Sequence, residues 1–409
     1  MLLKNKHVVF AVTGGIAAFK AAAAVSLLRK QGAEVKCIMT QHATEFITPL
    51  TLRELSGNPV AVSLFGEIPE FQVEHISLAR WADILVIAPA TANVIGKIAA
   101  GIADDLVTTV VMAATSPILL VPAMNTNMYE NPIVQGNIEK LKQLGYGCME
   151  PDAGPLACGV SGKGRMPEPQ DIVQEIEFQV CRTTTLAHKR VLVTAGGTRE
   201  PLDPVRFIGN HSSGRMGFAI AKAAAIAGAE VTLVSGINTL PTPRGVVRRI
   251  DVMTTGEMKA AVDSVYPQCD AVIKAAAVAD YRAAHPASEK IKKDTATLHL
   301  ELAKNPDILW ELGQRKTHQL LVGFAAETTR VLEYGMAKLR KKNLDMLVAN
   351  DVSAEGAGFQ GDTNIATLLF ADGTQEALEK MDKFALATII VERVAALLAA
   401  HPERFEEDS

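Results

Sequence analysis

The residues best placed to do chemistry stand where apolar runs give way to glycine. Thr13-Gly14-Gly15-Ile16-Ala17 follows the apolar run 8–12, and Thr194-Ala-Gly-Gly-Thr-Arg-Glu200 follows the run 191–193. Glycine lets the backbone approach a phosphate, and the first amides of a following helix carry about half a unit of positive charge. Neither turn is a GxGxxG fingerprint, so a tight turn without a ligand competes with a phosphate loop at each. Agreement among strand ends favours the loop in the first half. Ile87-Ala-Pro-Ala90-Thr91-Ala-Asn93 and Val121-Pro-Ala-Met124-Asn125 leave two further strands into small, polar, proline-fixed turns, and Thr40 ends another. Hydroxyls, amides and one methionine from four strand ends suit a flat, phosphorylated, hydrogen-bonding ring. In the second half the informative residues are lysines. Lys290-Ile-Lys-Lys293 follows Ala275-Ala276-Ala-Val-Ala-Asp280, and Lys338 and Lys342 share a helix face. In isolation that pair reads as a solvated face; with Asp280 at a strand end, these groups can gather around a metal-bound triphosphate.

Two side chains are ambiguous alone. Cys158 sits mid-way along 152–165, a segment with four glycines and no apolar periodicity. Each ordered glycine costs roughly 0.5–1 kcal/mol more than alanine, so four would oppose closure by about 2–4 kcal/mol. The segment is expected to stay open until a ligand fastens it. A thiol with a pKa near ~8.5 is mostly protonated at neutral pH and suits a proton donor better than a nucleophile. An inert surface thiol is the default for a lone loop cysteine, as a satisfied structural histidine is for His75.

These residues need a scaffold, and it is written twice. An apolar strand, a glycine turn, an alanine-rich helix and a second strand opening at Gly32-Ala-Glu-Val35 recur, the later copy opening its second strand at Gly228-Ala-Glu-Val231. Each is the first βαβ unit of a doubly wound parallel sheet. Gly14 to Gly32 spans 18 residues and Gly196 to Gly228 spans 32, so the second unit holds 14 more. Extra residues at the carboxyl end of a strand lie where such sheets bind ligands. Further buried strands are expected at 84–88, 118–121, 271–275, 320–324 and 346–349, with helices over 170–181 and, as an amphipathic packing element, 376–400. The polar stretch 183–189 reads as a connector. The fold class is therefore α/β, two Rossmann-like parallel-sheet domains in tandem, over 1–189 and 190–409.

Bulk properties exclude other classes. With 48% hydrophobic and 21% charged residues the chain is globular, and 409 residues exceed one ordinary core. A net charge of −4 and 5% aromatics leave no footprint for nucleic acid. The uncharged stretch 106–129 is broken by Pro117, Pro122, Asn125 and Asn127. It reads as a buried helix, a turn and a strand rather than a membrane span. The amino terminus runs straight into a strand, leaving no room for a signal peptide, and a soluble cytoplasmic protein is expected. Five cysteines without CxxC spacing suggest free thiols, not zinc.

The motifs Gly14-Gly-Ile-Ala17, His75-Ile-Ser-Leu78, Pro89-Ala-Thr-Ala-Asn93, Pro122-Ala-Met-Asn-Thr-Asn-Met128 and the Ala-Cys158-Gly loop resemble those of flavoprotein cysteine decarboxylases. With the second half, nearly the whole chain resembles the bifunctional phosphopantothenoylcysteine decarboxylase/phosphopantothenate–cysteine ligase family of coenzyme A biosynthesis. One departure is Tyr129, where the family usually has tryptophan. The resemblance implies FMN bound by Gly14, Gly15, Ile16, Ala17, Thr40, Ala90, Thr91, Asn93, Thr108 and Met124. It implies oxidation of the substrate's thiol carbon to a thioaldehyde that serves as electron sink when CO2 leaves. His75 would assist the oxidation, Asn125 would hold the carboxylate, and Cys158 would return the proton.

For the second half the resemblance implies CTP. Ala275 and Ala276 would offer backbone contacts, Asp280, Asn305, Pro306, Asp307 and Ile308 would border the nucleotide, and Phe324 would line its pocket. Lys290, Lys338 and Lys342 would face phosphates, with Mg2+ at Asp280. A carboxylate is a poor electrophile, so its activation as an acyl cytidylate precedes displacement of CMP by the cysteine amine. Asn210 would orient the activated carbonyl, with Arg206 holding it or supporting a dimer. The implied substrates are 4′-phosphopantothenate, cysteine and CTP. The implied assembly is flavin-domain trimers linked by ligase dimers, a dodecamer, with His75 serving a neighbour's flavin. An NAD dehydrogenase lacks support without GxGxxG. A flavin prenyltransferase or peptide-cysteine decarboxylase would share the first half without the lysine-rich second. A non-catalytic flavin binder would need the pocket but not Cys158 and His75.

Overall fold

The computed structural model describes residues 2–64, 74–155, 161–292, 297–327, 331–351 and 363–400. They divide into two compact units, Met1–Cys181 and Arg182–Ser409. In the first unit the strands are β1 His7–Val12, β2 Glu34–Met39, β3 Val60–Ala61, β4 Ile84–Ala90, β5 Ile118–Pro122 and β6 Gly147–Cys148. A ribbon of β7 Asp152–Pro155 and β8 Ser161–Arg165 follows. The sheet order is β3-β2-β1-β4-β5-β6 with every pairing parallel. Order reverses between β1 and β4, so the loops leaving their carboxyl ends diverge and open a crevice.

The helices are α1 Ala18–Lys30, α2 Pro49–Ser56, α3 Glu74–Trp81, α4 Ala92–Ala100, α5 Leu106–Ala113, α6 Thr126–Tyr129, α7 Pro132–Gln143 and α8 Pro169–Cys181. Helices cover both sheet faces, which is why β1 is apolar at every position after His7. Val8, Phe10 and Val12 join one core with residues of α1, α2 and α8. Val9 and Ala11 join the other with residues of α3, α4, α5 and α7.

The second unit repeats the plan. Its strands are β9 Arg190–Ala195, β10 Arg199–Pro201, β11 Phe207–Gly209, β12 Glu230–Ser235, β13 Val246–Asp251, β14 Ala271–Lys274, β15 Tyr281–Ala283, β16 Leu302–Lys304, β17 Leu320–Glu327, β18 Met346–Asp351, β19 Thr363–Asn364, β20 Ala366–Phe370, β21 Gln375–Ala377 and β22 Met381–Asp382. The main sheet runs β13-β12-β9-β14-β17-β18-β20-β21. It is parallel through β18, after which β20 and β21 add antiparallel. Its reversal lies between β9 and β14. Helices α9 Arg215–Ile226 and α13 Lys383–Ala400 pack together, while α10 Thr255–Val265, α11 Ile308–Gln314 and α12 Val331–Lys341 supply a core with β14 and β17.

The expected tandem α/β fold and its buried strands are present. Three details differ. The segment 376–400 is not one helix, because β21 pairs with β20 and the Asp382 carboxylate accepts from the Phe384 and Ala385 amides, starting α13 there. The connector 183–189 is folded onto the second unit, with Leu186 buried and the Thr183 and Leu186 amides donating to Ile226 and Ala227 carbonyls. The glycine-rich segment expected to be open has paired arms, Ala153 opposite Lys163 and Gly154 opposite Gly162. Cys158 lies outside the described residues. The other four cysteines are free thiols, and no helix among the described residues is long and apolar enough to cross a membrane.

Candidate active sites

The crevice at the β1/β4 reversal is a cavity of about 1010 Å³. Four strand ends build it. Gly14, Gly15, Ile16 and Ala17 leave β1, Thr40 and His42 leave β2, Pro89, Thr91 and Asn93 leave β4, and Met124 and Asn125 leave β5. Thr13 Oγ1 donates to the Pro89 carbonyl at 2.6 Å, tying the first end to the third. A Cβ at Gly14 would lie 2.8 Å from His42 Cβ, so only glycine fits between β1 and the short helix Gln41–Glu45. Helix α1 starts at Ala17 with no side-chain cap and no acidic residue in its first turn. Its leading amides thus keep their partial positive charge for an anion. Thr40 Oγ1 is buried with no hydrogen-bond partner, a deficit of about 1–3 kcal/mol that a hydrogen-bonding ligand would remove. Phe19, Phe46, Met124, Met128 and Met166 add apolar wall. An uncapped helix start suited to a phosphate, polar groups at strand ends and an apolar slot fit a flavin mononucleotide.

The ribbon closes one side. Gly164 accepts from the Met124 amide at 2.9 Å, and Pro155, Gly164 and Arg165 line the cavity. A Cβ on Gly164, at φ +139°, would collide with the Met124 carbonyl oxygen, so glycine is required. Asn125 Oδ1 accepts from the Asn127 amide at 2.9 Å, which orients its side chain over α6. Ala90 and Thr108 do not line the cavity. Ala90 is fully buried within β4, and Thr108 takes part in the capping box of α5 through Asp105, which does line it. His75 lies in the first turn of α3, half-buried, and is not among the residues lining the cavity. Tyr129 packs partly buried against the core instead of forming a wall. Sequence reasoning missed Lys20, buried in α1, whose Nζ donates to the Met166 carbonyl at 2.7 Å and to Glu168 at 2.9 Å. One lysine in an alanine-rich helix gives no warning of that task.

In the second unit the 14 extra residues form the β10/β11 ribbon at the β9/β14 reversal. Gly196 adopts φ +76°, and added Cβ atoms on Gly196 and Gly197 would meet Gly236 and Asn210 backbone oxygens, each at 2.9 Å. Asn210 Nδ2 donates to the Val278 carbonyl at 3.0 Å, holding it beside the loop 275–280. A buried polar web fixes that loop. Thr198 Oγ1 accepts from the Ala279 amide, Glu200 accepts from Thr255 Oγ1 at 2.7 Å, and Asn305 Nδ2 donates to Thr255 Oγ1 and the Ala279 carbonyl. Thr194 Oγ1 accepts from the Ala276 amide, so Ala276 directs that N–H at β9. Arg206 Nη1 donates to Asp203 at 3.0 Å and to the Ile291 carbonyl at 3.1 Å. Asp203 also accepts from the Val205, Arg206 and Ile291 amides, which hold its carboxyl below the usual range despite burial. Arg206 thereby pins the segment that presents the exposed Lys290.

Lys342 Nζ sits 2.8 Å from Asp307, and its amide donates to the Lys338 carbonyl, so both lysines end α12 on one side. Asp307 caps α11 through the Trp310 amide. Burial raises its carboxyl, but Lys342 and that amide hold it below its ordinary value. Asp280 is exposed at the strand end, and Phe324 is half-buried in β17. Among the described residues no cluster of three or more His, Cys, Asp or Glu could hold a metal alone. The second missed residue is Lys274, the last of β14. Burial, reinforced by Lys342, pushes its ammonium down to about 8, against the pull of Asp307 and Asp280.

Two family models match, one described as flavoprotein over residues 2–180, the other as the DNA/pantothenate metabolism flavoprotein C-terminal domain over 186–398. The coenzyme A biosynthesis bifunctional protein CoaBC of Bacillus subtilis is 48% identical over 98% of this chain and 100% of its own length. The chain belongs to the CoaBC family. Its Escherichia coli K12 counterpart is likewise 48% identical, over 91% of this chain and 93% of that protein. Among solved structures, the C-terminal domain of a CoaBC protein is 43% identical with a TM-score of 0.47, covering 53% of this chain and 100% of that one. The FMN-dependent cysteine decarboxylase SpaF is 30% identical with a TM-score of 0.38, covering 44% and 97%. As a CoaBC protein the chain is a bifunctional enzyme of coenzyme A biosynthesis. Its flavoprotein domain is the phosphopantothenoylcysteine decarboxylase and its C-terminal domain the phosphopantothenate–cysteine ligase.

Proposed function

We propose that the ligase crevice joins 4′-phosphopantothenate to cysteine at the expense of CTP, and that the first cavity decarboxylates the product with FMN. The observation that carries the reading is a doubled one. Each unit opens a crevice at its own strand-order reversal, one with an uncapped helix start and an unpartnered Thr40 hydroxyl, the other bordered by the Lys342–Asp307 pair and the exposed Lys290.

Bound FMN supplies a reversible two-electron acceptor, which lets the thiol carbon be oxidised before CO2 leaves and reduced afterwards. Asn125, oriented by Asn127, holds the substrate carboxylate at the cavity wall. Cys158 belongs to the stretch that joins the ribbon arms, and Pro155 and Gly164 of those arms line the cavity, which supports its thiol as the group that returns a proton to the enethiolate. His75 acts on the cavity of a neighbouring subunit, which its absence from the lining of its own cavity supports, as do the exposed Ile16, Phe19 and Phe46. Flavin-domain trimers and ligase dimers would bring those faces together.

In the ligase, Lys290, Lys338 and Lys342 neutralise the triphosphate, and the Ala275 and Ala276 backbone borders the nucleotide. Mg2+ would enter with the phosphates, which supply most of its ligands, and Asp280 is exposed to meet it. Asn210 orients the acyl cytidylate for attack by the cysteine amine, while Arg206 keeps Lys290 in place. The test is direct. Purified protein should be yellow, and with 4′-phosphopantothenate, cysteine, CTP and Mg2+ should release pyrophosphate and CO2. Colourless protein that FMN cannot reconstitute, or one that shows no CTP-dependent pyrophosphate release, overturns the corresponding half.

A further inference from the structure

Lys274 has no role in the expected nucleotide set, and its surroundings call for one. It ends β14 at the strand-order reversal, in register with Thr194 of the glycine loop on one side and Gly323 on the other. Val272, two residues earlier, belongs to the core made with α10, α11 and α12, so Lys274 projects from that same face of the sheet. The charged groups acting on it are Lys342 at the end of α12, Asp307 at the start of α11 and Asp280 beyond β14. Asp307 is hydrogen-bonded to Lys342, and Asp280 is exposed to water. Lys274 forms no hydrogen bond or ion pair among the described residues. An ammonium at the strand-order reversal with no hydrogen-bonded counter-ion bears a desolvation cost that an arriving polyanion would offset.

We propose that Lys274 is a further nucleotide-binding residue of the ligase, its ammonium contacting the triphosphate arm from the floor of the crevice beside Lys342. The assignment rests on the CTP reading above. A triphosphate brings negative charge next to the amine and favours its protonated form. Near pH 8, where Lys274 is about half protonated in the free enzyme, CTP binding draws a proton from the buffer.

The test is isothermal titration of the full-length enzyme with CTP and Mg2+ at pH 8, without pantothenate substrate, in two buffers of different ionisation enthalpy. Wild-type enzyme should take up about half a proton per CTP bound. Lys274→Met should bind CTP roughly tenfold to a hundredfold more weakly, as expected for a lost charge-assisted hydrogen bond, and take up none. Because methionine removes a partly buried, desolvated charge, the variant should melt no lower than wild type, which separates lost binding from lost fold. Equal affinity in the two proteins, or proton uptake that survives the substitution, overturns the role of Lys274. A variant that melts lower and binds nothing assigns Lys274 to the fold and overturns it equally. Wild-type enzyme that fails to bind CTP defeats the nucleotide reading itself, a result distinguishable from both.

Discussion

A cysteine can serve as proton donor only while it keeps its proton, and a serine in its place is a far weaker acid. Cys158→Ser is therefore expected to bind substrate and lose CO2, then stall with an oxidised, decarboxylated product and a bleached flavin. Turnover should fall at least about a hundredfold. Normal turnover, followed by product mass and flavin absorbance, removes Cys158 from the mechanism. Asn210 presents an amide beside the loop that follows β14. Its replacement by aspartate puts a negative charge where the acyl carbonyl should be polarised. Asn210→Asp should accumulate acyl cytidylate, seen by rapid quench, while amide formation drops by about a hundredfold. Full amide synthesis with no trapped cytidylate would defeat that role. At this scale the motifs were legible because glycine, proline and asparagine at strand ends have few other reasons to recur. Lys274 was not, since a lysine ending an apolar strand looks like a surface residue until α11 and α12 fold over it.

Between residue and fold lies the ribbon β7/β8. Its glycines suggested an open loop, yet Gly162 and Gly164 are small for a different reason. They let the strand lie against Thr126 and Met124 with no room for a side chain. Gly164→Ala would set a methyl group against the Met124 carbonyl and break the 2.9 Å hydrogen bond beside the flavin cavity. The variant should retain FMN roughly tenfold more weakly, measured by flavin release on dilution. Its ligase activity should be unchanged, since that unit has its own core. Undiminished flavin retention would show that the ribbon is not a wall of the site. Composition reported the glycines; only the pairing register distinguished mobility from close approach.

For the whole molecule, two units with separate sheets and separate cores imply separable activities. Chains comprising 1–181 and 182–409 should each fold cooperatively, the first yellow and the second a colourless CTP-dependent ligase, as spectra and pyrophosphate release would show. If neither piece folds alone, the two cores depend on one another. Local sequence determined the duplicated βαβ opening, the buried parallel strands and the glycine turns, because apolar period and backbone freedom are properties of neighbouring residues. Tertiary structure alone decided that the extra residues after β9 form a ribbon and that Arg206 is spent on Asp203 and Ile291. It alone also brought Lys274 under the influence of Lys342 and Asp307. Those outcomes depend on side chains dozens of residues apart along the chain, whose charges and hydroxyls acquire partners only when the strand order reverses and brings their loops to one end of the sheet.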